Sequence, residues 1–481
     1  MAVAQGQCPS CGAPIEFGLG SSIAKVCPYC QATVVRSDRG LENLGKVADM
    51  ADTPCLIAVG DRGTLATRPF EVLGRVQLDH GAGPWDEFYV AFDYGQAWGW
   101  LAFAQGQWYV TQQVPGVSVP PRSMLQLEQD VPLGGQMFRV AEIKEGTIRS
   151  AEGELPEAFP VGFERHYVDL YAQGNGFATI DYGDGRGAYT VFIGYVFGES
   201  QMQVQQLGER HAREVQTDYM QCPNCGGNVP KLAGGRAERM GCPYCHAVTD
   251  IASRQIVAQQ EAAMKQPDIP IGAVGNFEGV QYTCIAYLRR GTYYDNEHFS
   301  WEEYLLWSQG IGFRWLLKDP EKGWQWITPV NIADLDITQL PNGVIWGGRY
   351  FRNRDWGSAG VEYVLGEVYW KCEIGEVTRA DDFVDGNDVL SREMTDTEVQ
   401  WSYCQPIAWP VVAQGFGLPA DGPGAQFQGG GGYGGGGAPA SGCSKALGWL
   451  FIIGFLLFFC VAGTCGGAGG GGGGGVFVGG K

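Results

Sequence analysis

The chain reads as a mostly β protein assembled from two tandem modules, each a four-cysteine ribbon, a short helix and an antiparallel β domain of barrel or sandwich type, with a Gly-rich tether and one apolar helix after them. A quartet of paired cysteines occurs twice, about 214 residues apart. Short runs rich in Val, Phe, Tyr and Trp follow each quartet, broken every eight to twelve residues by Gly, Pro or Asp, the texture of antiparallel strands. At Ala413 the composition changes abruptly to Gly, Pro, Ala and Gln.

The first quartet is Cys8-Pro-Ser-Cys11 with Cys27-Pro-Tyr-Cys30, and the second is Cys222-Pro-Asn-Cys225 with Cys242-Pro-Tyr-Cys245. Two residues stand inside each pair, and 15 or 16 lie between pairs, a spacing that lets two knuckles bring four thiolates onto one zinc ion. Residues 1–36 and 222–250 are therefore expected to be zinc ribbons, each holding one structural Zn2+. Segments this short cannot bury a core, so metal ligation must supply their stability. Four thiolates leave no open coordination position, which points to closed structural sites rather than catalytic ones. A Cys-x-x-Cys redox pair would need a βαβ context that this strand-rich sequence does not offer. His246, beside Cys245, is read as a surface residue.

Leu41, Leu44, Val47 and Ala48, and then Ile251, Ile256, Val257 and Ala258, predict short helical connectors over 37–54 and 251–268. The β domains follow at 55–205 and 269–412, with a linker at 206–221. Strands are expected at 70–76, 87–92, 98–103, 107–112, 136–143, 147–151, 167–172, 177–182 and 189–196 of the first. The domains repeat one another: Gly60, Gly63, Leu65 and Phe70 fall on Gly272, Gly275, Phe277 and Tyr282, and Trp85, Glu87 and Phe88 fall on Trp301, Glu303 and Tyr304. Residues 413–445 are expected to be a tether, 446–463 an uncharged span long enough to cross a bilayer, and 464–481 a Gly-rich tail.

The net charge of -19, with 33 Lys and Arg against 52 Asp and Glu, argues against nucleic acid as a partner. The opening Met-Ala-Val-Ala-Gln-Gly-Gln lacks the basic and apolar regions of a secretion signal, so the bulk of the chain is expected in a reducing cytoplasm, anchored to the inner membrane by a single pass. In the duplicated Trp85-Asp86-Glu87 and Trp301-Glu302-Glu303, neighbouring acids on a strand point to opposite faces and cannot share one substrate atom. The five His show no metalloenzyme spacing, and no catalytic constellation stands out.

Gly366-Glu367-Val-Tyr369-Trp370, Leu390-Ser391-Arg392-Glu393 and Glu398-Val-Gln-Trp401-Ser402 resemble the bacterial domain-of-unknown-function family numbered four-one-seven-eight, as do Leu56–Gly74 and Phe177–Gly183 in the first domain. That resemblance implies two copies and an association with membrane and membrane-stress proteins, and it names no catalytic residue. The first module carries Gly153-Glu154-Leu-Pro156 where the second has the Gly-Glu-aromatic-Trp motif. The function expected is a non-enzymatic, membrane-anchored scaffold that binds other proteins. The alternative is an enzyme or small-ligand sensor using an aromatic groove around Trp370, with Glu367 or Glu393 as acid or base.

Overall fold

A computed structural model describes residues 4–17, 24–37, 40–46, 56–79, 84–104, 107–207, 219–233, 237–251, 253–261, 266–294, 297–308, 311–320, 322–370 and 372–421. The first domain is a closed barrel of eight antiparallel strands: β2 (Arg68–Asp79), β3 (Pro84–Phe92), β4 (Ala97–Ala104), β5 (Gln107–Gln113), β6 (Gln136–Leu155), β7 (Glu164–Ala172), β8 (Gly176–Asp181) and β9 (Thr190–Phe197). The first ribbon contributes β1 (Ala24–Val26). Around the barrel the order is β2-β3-β4-β5-β9-β8-β7-β6, and β6 returns to β2 with Thr147 opposite Asp79 and Gly153 opposite Gly74. Closure removes the free edges that an open sheet of this length would expose.

The second domain repeats this plan. After β10 (Arg239–Gly241) of the second ribbon come β11 (Val280–Tyr294), β12 (Glu297–Ser308), β13 (Gly312–Asp319), β14 (Gly323–Val330), β15 (Arg349–Val368), β16 (Val377–Asp385), β17 (Asp388–Met394) and β18 (Val399–Pro406). Their order is β11-β12-β13-β14-β18-β17-β16-β15, closed by β15 on β11 with Gly291 opposite Gly360 and Ala286 opposite Gly366. The barrel alternative of the sequence reading therefore holds for both domains. The two strands expected at 136–143 and 147–151 are one strand, β6, whose early half pairs with β7 and whose later half also pairs with β2.

Two expectations are corrected. Within the spans expected to be helical connectors, Gly40–Lys46 and Ile256–Gln259 are strands that add to the ribbon hairpins at Ala32–Ser37 and Ala247–Asp250, while 47–54 and 262–265 lie outside the described residues. The leucine spacing in the first and the apolar cluster in the second satisfy a helical template, but unpaired amides on the hairpin edge recruit them, and β-branched Ile256 and Val257 suit a strand. At 413, where a tether was expected to begin, α1 (Trp409–Phe416) runs through instead. Its Trp409, Val412, Ala413 and Phe416 repeat at helical spacing and are buried, with Trp409 stacked on Trp324 at 5.2 Å and Phe416 edge-on to Phe277 at 5.3 Å. Residues 422–481, including the apolar run at 446–463, lie outside the described residues, among which no helix is long and apolar enough to cross a membrane.

The barrels are docked. Ile143 N–H donates to Thr397 C=O at 2.8 Å, and Leu127, Ala141 and Tyr171 of the first module join a core with Ile332, Phe351, Phe383 and Trp401 of the second. Arg139 donates to the carbonyls of Ile332 at 3.1 Å and Leu335 at 2.6 Å.

Candidate metal centres

Each knuckle is built by the backbone before any metal is considered. The residue four beyond each leading cysteine donates its N–H back to that cysteine's carbonyl: Gly12 to Cys8, Gln31 to Cys27, Gly226 to Cys222 and His246 to Cys242, at 2.8–2.9 Å. All four take a left-handed conformation, with φ of 76, 58, 75 and 58°. The turn aims both sulfurs of a pair to the same side. Each knuckle is the turn of its own hairpin, and the two turns meet so that Cys8 Sγ lies 3.7 Å from Cys30 Sγ and Cys11 Sγ 3.7 Å from Cys27 Sγ.

In the second ribbon, Cys222 and Cys245 are 3.7 Å apart and Cys225 and Cys242 are 3.8 Å apart. In both quartets all four sulfurs lie within 4.8 Å of one another. Four sulfurs at about 2.3 Å from a shared zinc ion in a tetrahedron would sit about 3.8 Å apart, so the donor set and its spacing fit one such ion per ribbon. The eight predicted ligands are thus brought together as two sets of four. The leading cysteine of every pair is buried, namely Cys8, Cys27, Cys222 and Cys242, while Cys11 and Cys225 face solvent.

In each quartet local donors hold one cysteine toward the thiolate form that a metal requires, Cys30 in the first and Cys245 in the second, while Cys11, Cys225 and Cys242 are shifted upward. The Ala32 amide, with smaller help from neighbouring thiols, brings Cys30 down to about 6. At Cys245 burial pushes upward, but the Ala247 amide and the Asn224 side chain outweigh it and bring the thiol down to about 7. Asn224 Nδ2 sits 3.4 Å from that sulfur.

The ribbons are not appended to the barrels; they continue them. In the first module β6 leaves β2 at Gly153 and pairs with β1, Glu154 opposite Lys25 and Leu155 opposite Ala24. In the second, β15 leaves β11 at Gly366 and pairs with β10, from Gly366 opposite Gly241 to Val368 opposite Arg239. Gly153 and Gly366 occupy the same place, with φ of 75 and 81°, and a Cβ on either would lie 2.2 Å from a backbone carbonyl, of Leu73 or of Ile285. Glu154 and Glu367 are therefore equivalents, and the first module does not lack the Gly-Glu element. What differs is the use of the carboxylate: Glu154 accepts from Lys25 Nζ at 3.0 Å, whereas Glu367 accepts from the amides of Leu232 at 2.7 Å and Ala233 at 2.6 Å, in the loop between the two knuckles.

Further ties hold the second ribbon. His246 is half-buried rather than a surface residue, with Nδ1 2.7 Å from the Tyr363 hydroxyl. Gln260 caps β15 as a strand would, accepting from Val364 N–H at 2.7 Å and donating to Val364 C=O at 2.9 Å.

The aromatic groove anticipated around Trp370 is filled. Trp370 is buried against Trp315 and Tyr369, with ring centroids at 5.7 and 4.9 Å, and Tyr369 stacks on Phe313 at 4.1 Å. Glu367 is buried and engaged by the ribbon loop, and Glu393 lies inside the barrel, 3.0 Å from Arg290. In the duplicated Trp-acid-Glu unit the neighbouring acids do diverge. Trp85 Nε1 donates to Glu87 at 3.1 Å while Asp86 accepts from Arg75 at 2.9 Å; Trp301 Nε1 donates to Glu303 at 2.7 Å while Glu302 accepts from the Tyr304 hydroxyl at 2.9 Å. Sequence reasoning passed over Arg290, next to Arg289 in β11, and Lys144, one of three cations in β6, whose only signal was that a closed barrel would bury them.

No curated protein and no solved structure matches this chain. A family does match, at residues 58–197 and again at 270–408, which coincide with the two barrels and together cover more than half of the chain. With the Gly-Glu switch and the barrel repeated in both stretches, the chain belongs to the family described as domain of unknown function (DUF4178), of which it carries two copies, each behind a four-cysteine ribbon.

Proposed function

We propose that this protein is a non-enzymatic scaffold whose two barrels are braced by structural zinc ions and held at the cytoplasmic face of a bacterial membrane by the apolar run at 446–463, where they bind other proteins. The observation that carries the reading is the shared strand: in both modules the ribbon continues the strand that closes the barrel, so metal binding serves the architecture of the module. A site with four thiolates on one ion has no position left for substrate, in keeping with bracing rather than turnover. The acidic balance of the chain suits protein partners better than nucleic acid.

The test is crosslinking in native membranes followed by affinity capture, comparing the full chain with one lacking residues 441–481. The scaffold reading expects a defined set of proteins crosslinked to the full chain, and recovery of the truncated chain in the soluble fraction. Capture of abundant bystanders alone, or a full chain already soluble, would refute it. Metal analysis of the purified chain is expected to return two zinc ions per molecule.

A further inference from the structure

The interiors of the two barrels hold charge in a repeated arrangement that the scaffold reading does not use. Strand registers align them residue by residue. Glu87 stands opposite Val76 as Glu303 stands opposite Leu288; Asp169 opposite Thr179 as Asp382 opposite Ser391; Asp181 opposite Tyr167 as Glu393 opposite Ala380. Three acids thus occupy the same three places in both barrels. Glu87 is partly buried and the other five are buried.

The balancing cation has moved. In the second barrel it is Arg290 on β11, at the place of Leu78 in the first. In the first it is Lys144 on β6, at the place of Gly357 in the second. Keeping the acids while the cation changes strand is the pattern expected if the acids are what the interior needs and the cation is their counterweight.

The counterweight is incomplete. Arg165 pairs with Asp181, and Asp382 faces both Arg354, at 4.0 Å, and the half-buried Lys322, which accounts for one acid in each barrel. Arg290, with no exposure, then faces two carboxyl groups, Glu393 at 3.0 Å and Glu303 at 3.6 Å, and gives its other nitrogen to Thr378 at 2.7 Å. Lys144 likewise serves two, Asp169 at 2.6 Å and Glu142 at 2.8 Å. A second buried negative charge on one cation is costly, and a carboxyl group relieves it by taking up a proton.

We infer that each barrel interior is a proton-binding site, in which two carboxyl groups share one buried cation and one proton near neutral pH, and that loss of the proton at higher pH loosens the barrel. Burial, partly offset by Arg290, pushes Glu393 up to about 8, and burial, partly offset by Lys144, pushes Glu142 up to about 7. The other groups facing Glu393 are Asp382, the thiol of Cys404 and the phenol of Tyr369, while the thiol of Cys372 faces Glu303 and Arg290; burial pushes both thiols and the phenol upward, so they stay neutral. Facing Glu142 are the phenols of Tyr109 and Tyr171, raised the same way, and Glu398 bridges to it through the backbone across the module junction; Glu87, which faces the same Lys144, is pushed by burial up to about 7.

A carboxyl whose native value lies above its unfolded value binds its proton more tightly in the folded chain. Its contribution to stability is complete below about 4.5 and is lost as pH rises through about 7 to 8. The test uses the full, zinc-loaded chain and the variants Glu393→Gln and Glu142→Gln, singly and together. The wild type is expected to show the infrared carbonyl band of a protonated carboxyl group at pH 6, fading by pH 9, with a melting temperature that falls over the same interval. Each Gln variant should lose part of the band, and the pair should flatten the fall.

Zinc release at acid pH changes stability in the opposite direction and is untouched by the Gln substitutions, so the two effects separate. Should Glu393→Gln fail to fold, Glu303→Gln neutralises the same pair from the other side. Absence of the band in the wild type, or a band and a pH profile unaltered in the folded Gln variants, would overturn the inference.

Discussion

At Gly366 a single residue decides whether the ribbon and the barrel can share a strand. Its φ of 81° is in the left-handed region, and a methyl group there would sit 2.2 Å from the Ile285 carbonyl oxygen, a backbone atom that cannot swing aside. Gly366→Ala is expected to destabilise the second module by about 2–4 kcal/mol, from strain and overpacking together. Gly153→Ala should do the same to the first, where the clash is with the Leu73 carbonyl. Urea unfolding followed by hydrogen exchange would read each, and a melt unchanged by either substitution would show that the strand can switch partners without the glycine. The neighbouring Glu367 acts through its acceptors. Glu367→Ala leaves the Leu232 and Ala233 amides without their carboxylate and should cost about 2–5 kcal/mol, while Glu367→Gln keeps an oxygen for them and should cost much less. Equal losses in the two variants would mean that charge, not amide capture, is what Glu367 supplies.

Elements differ in how well the sequence announces them. Strands β2 to β5 and β7 to β9 were legible because their apolar residues alternate and Gly or Asp marks their turns, as in Asp184-Gly185. The quartets were legible because ligand spacing is a local constraint. Three features were not. Gly40–Lys46 mimics a helix through its leucines, and only the open edge of the ribbon hairpin makes it a strand. Barrel closure joins residues about 70 positions apart, such as Gly291 and Gly360, and no local pattern reports it. The equivalence of Glu154 and Glu367 hides behind different flanking residues, Leu-Pro in one and Val-Tyr in the other, because the shared role belongs to the backbone. Shared strands also make metal removal a test at this scale. Stripping the chain with a strong chelator should release two ions, and since structural zinc contributes about 10–16 kcal/mol in comparable peptides, both ribbons should unfold. Amide protection is expected to vanish in β1 and β10 and to fall at 153–155 and 366–368, while β3 and β12 keep theirs. Protection retained in β1 and β10 after complete metal loss would separate bracing from metal binding.

For the whole molecule the decisive contact is the one between barrels. Glu128, in the first module with φ of 67°, receives the Arg392 guanidinium of the second as a fork and accepts from Trp401 Nε1 at 3.2 Å. Arg392 also holds Asp381 at 2.7 Å within its own module. The side chains of Glu128 and Arg392 keep only 11 and 10% of their exposure, so the pair is screened little by salt, unlike an ion pair on an open surface. Glu128→Ala leaves Arg392 with Asp381, which spares the second barrel and confines the damage to the junction. The expected result is an increased radius of gyration in solution scattering, with both barrels still folded. In a double-mutant cycle, Glu128→Ala and Arg392→Ala should be coupled by about 1–3 kcal/mol, the range for directly contacting charged groups. The rest of the junction, the apolar contacts of Leu127 and Ala141 and the Arg139 bonds to two carbonyls, then sets how far the barrels part. If Glu128→Ala leaves the dimensions of the chain unchanged and the cycle shows no coupling, the apolar contacts and the hydrogen bonds of Arg139 and Ile143 hold the two modules together, and the arginine fork merely decorates their border.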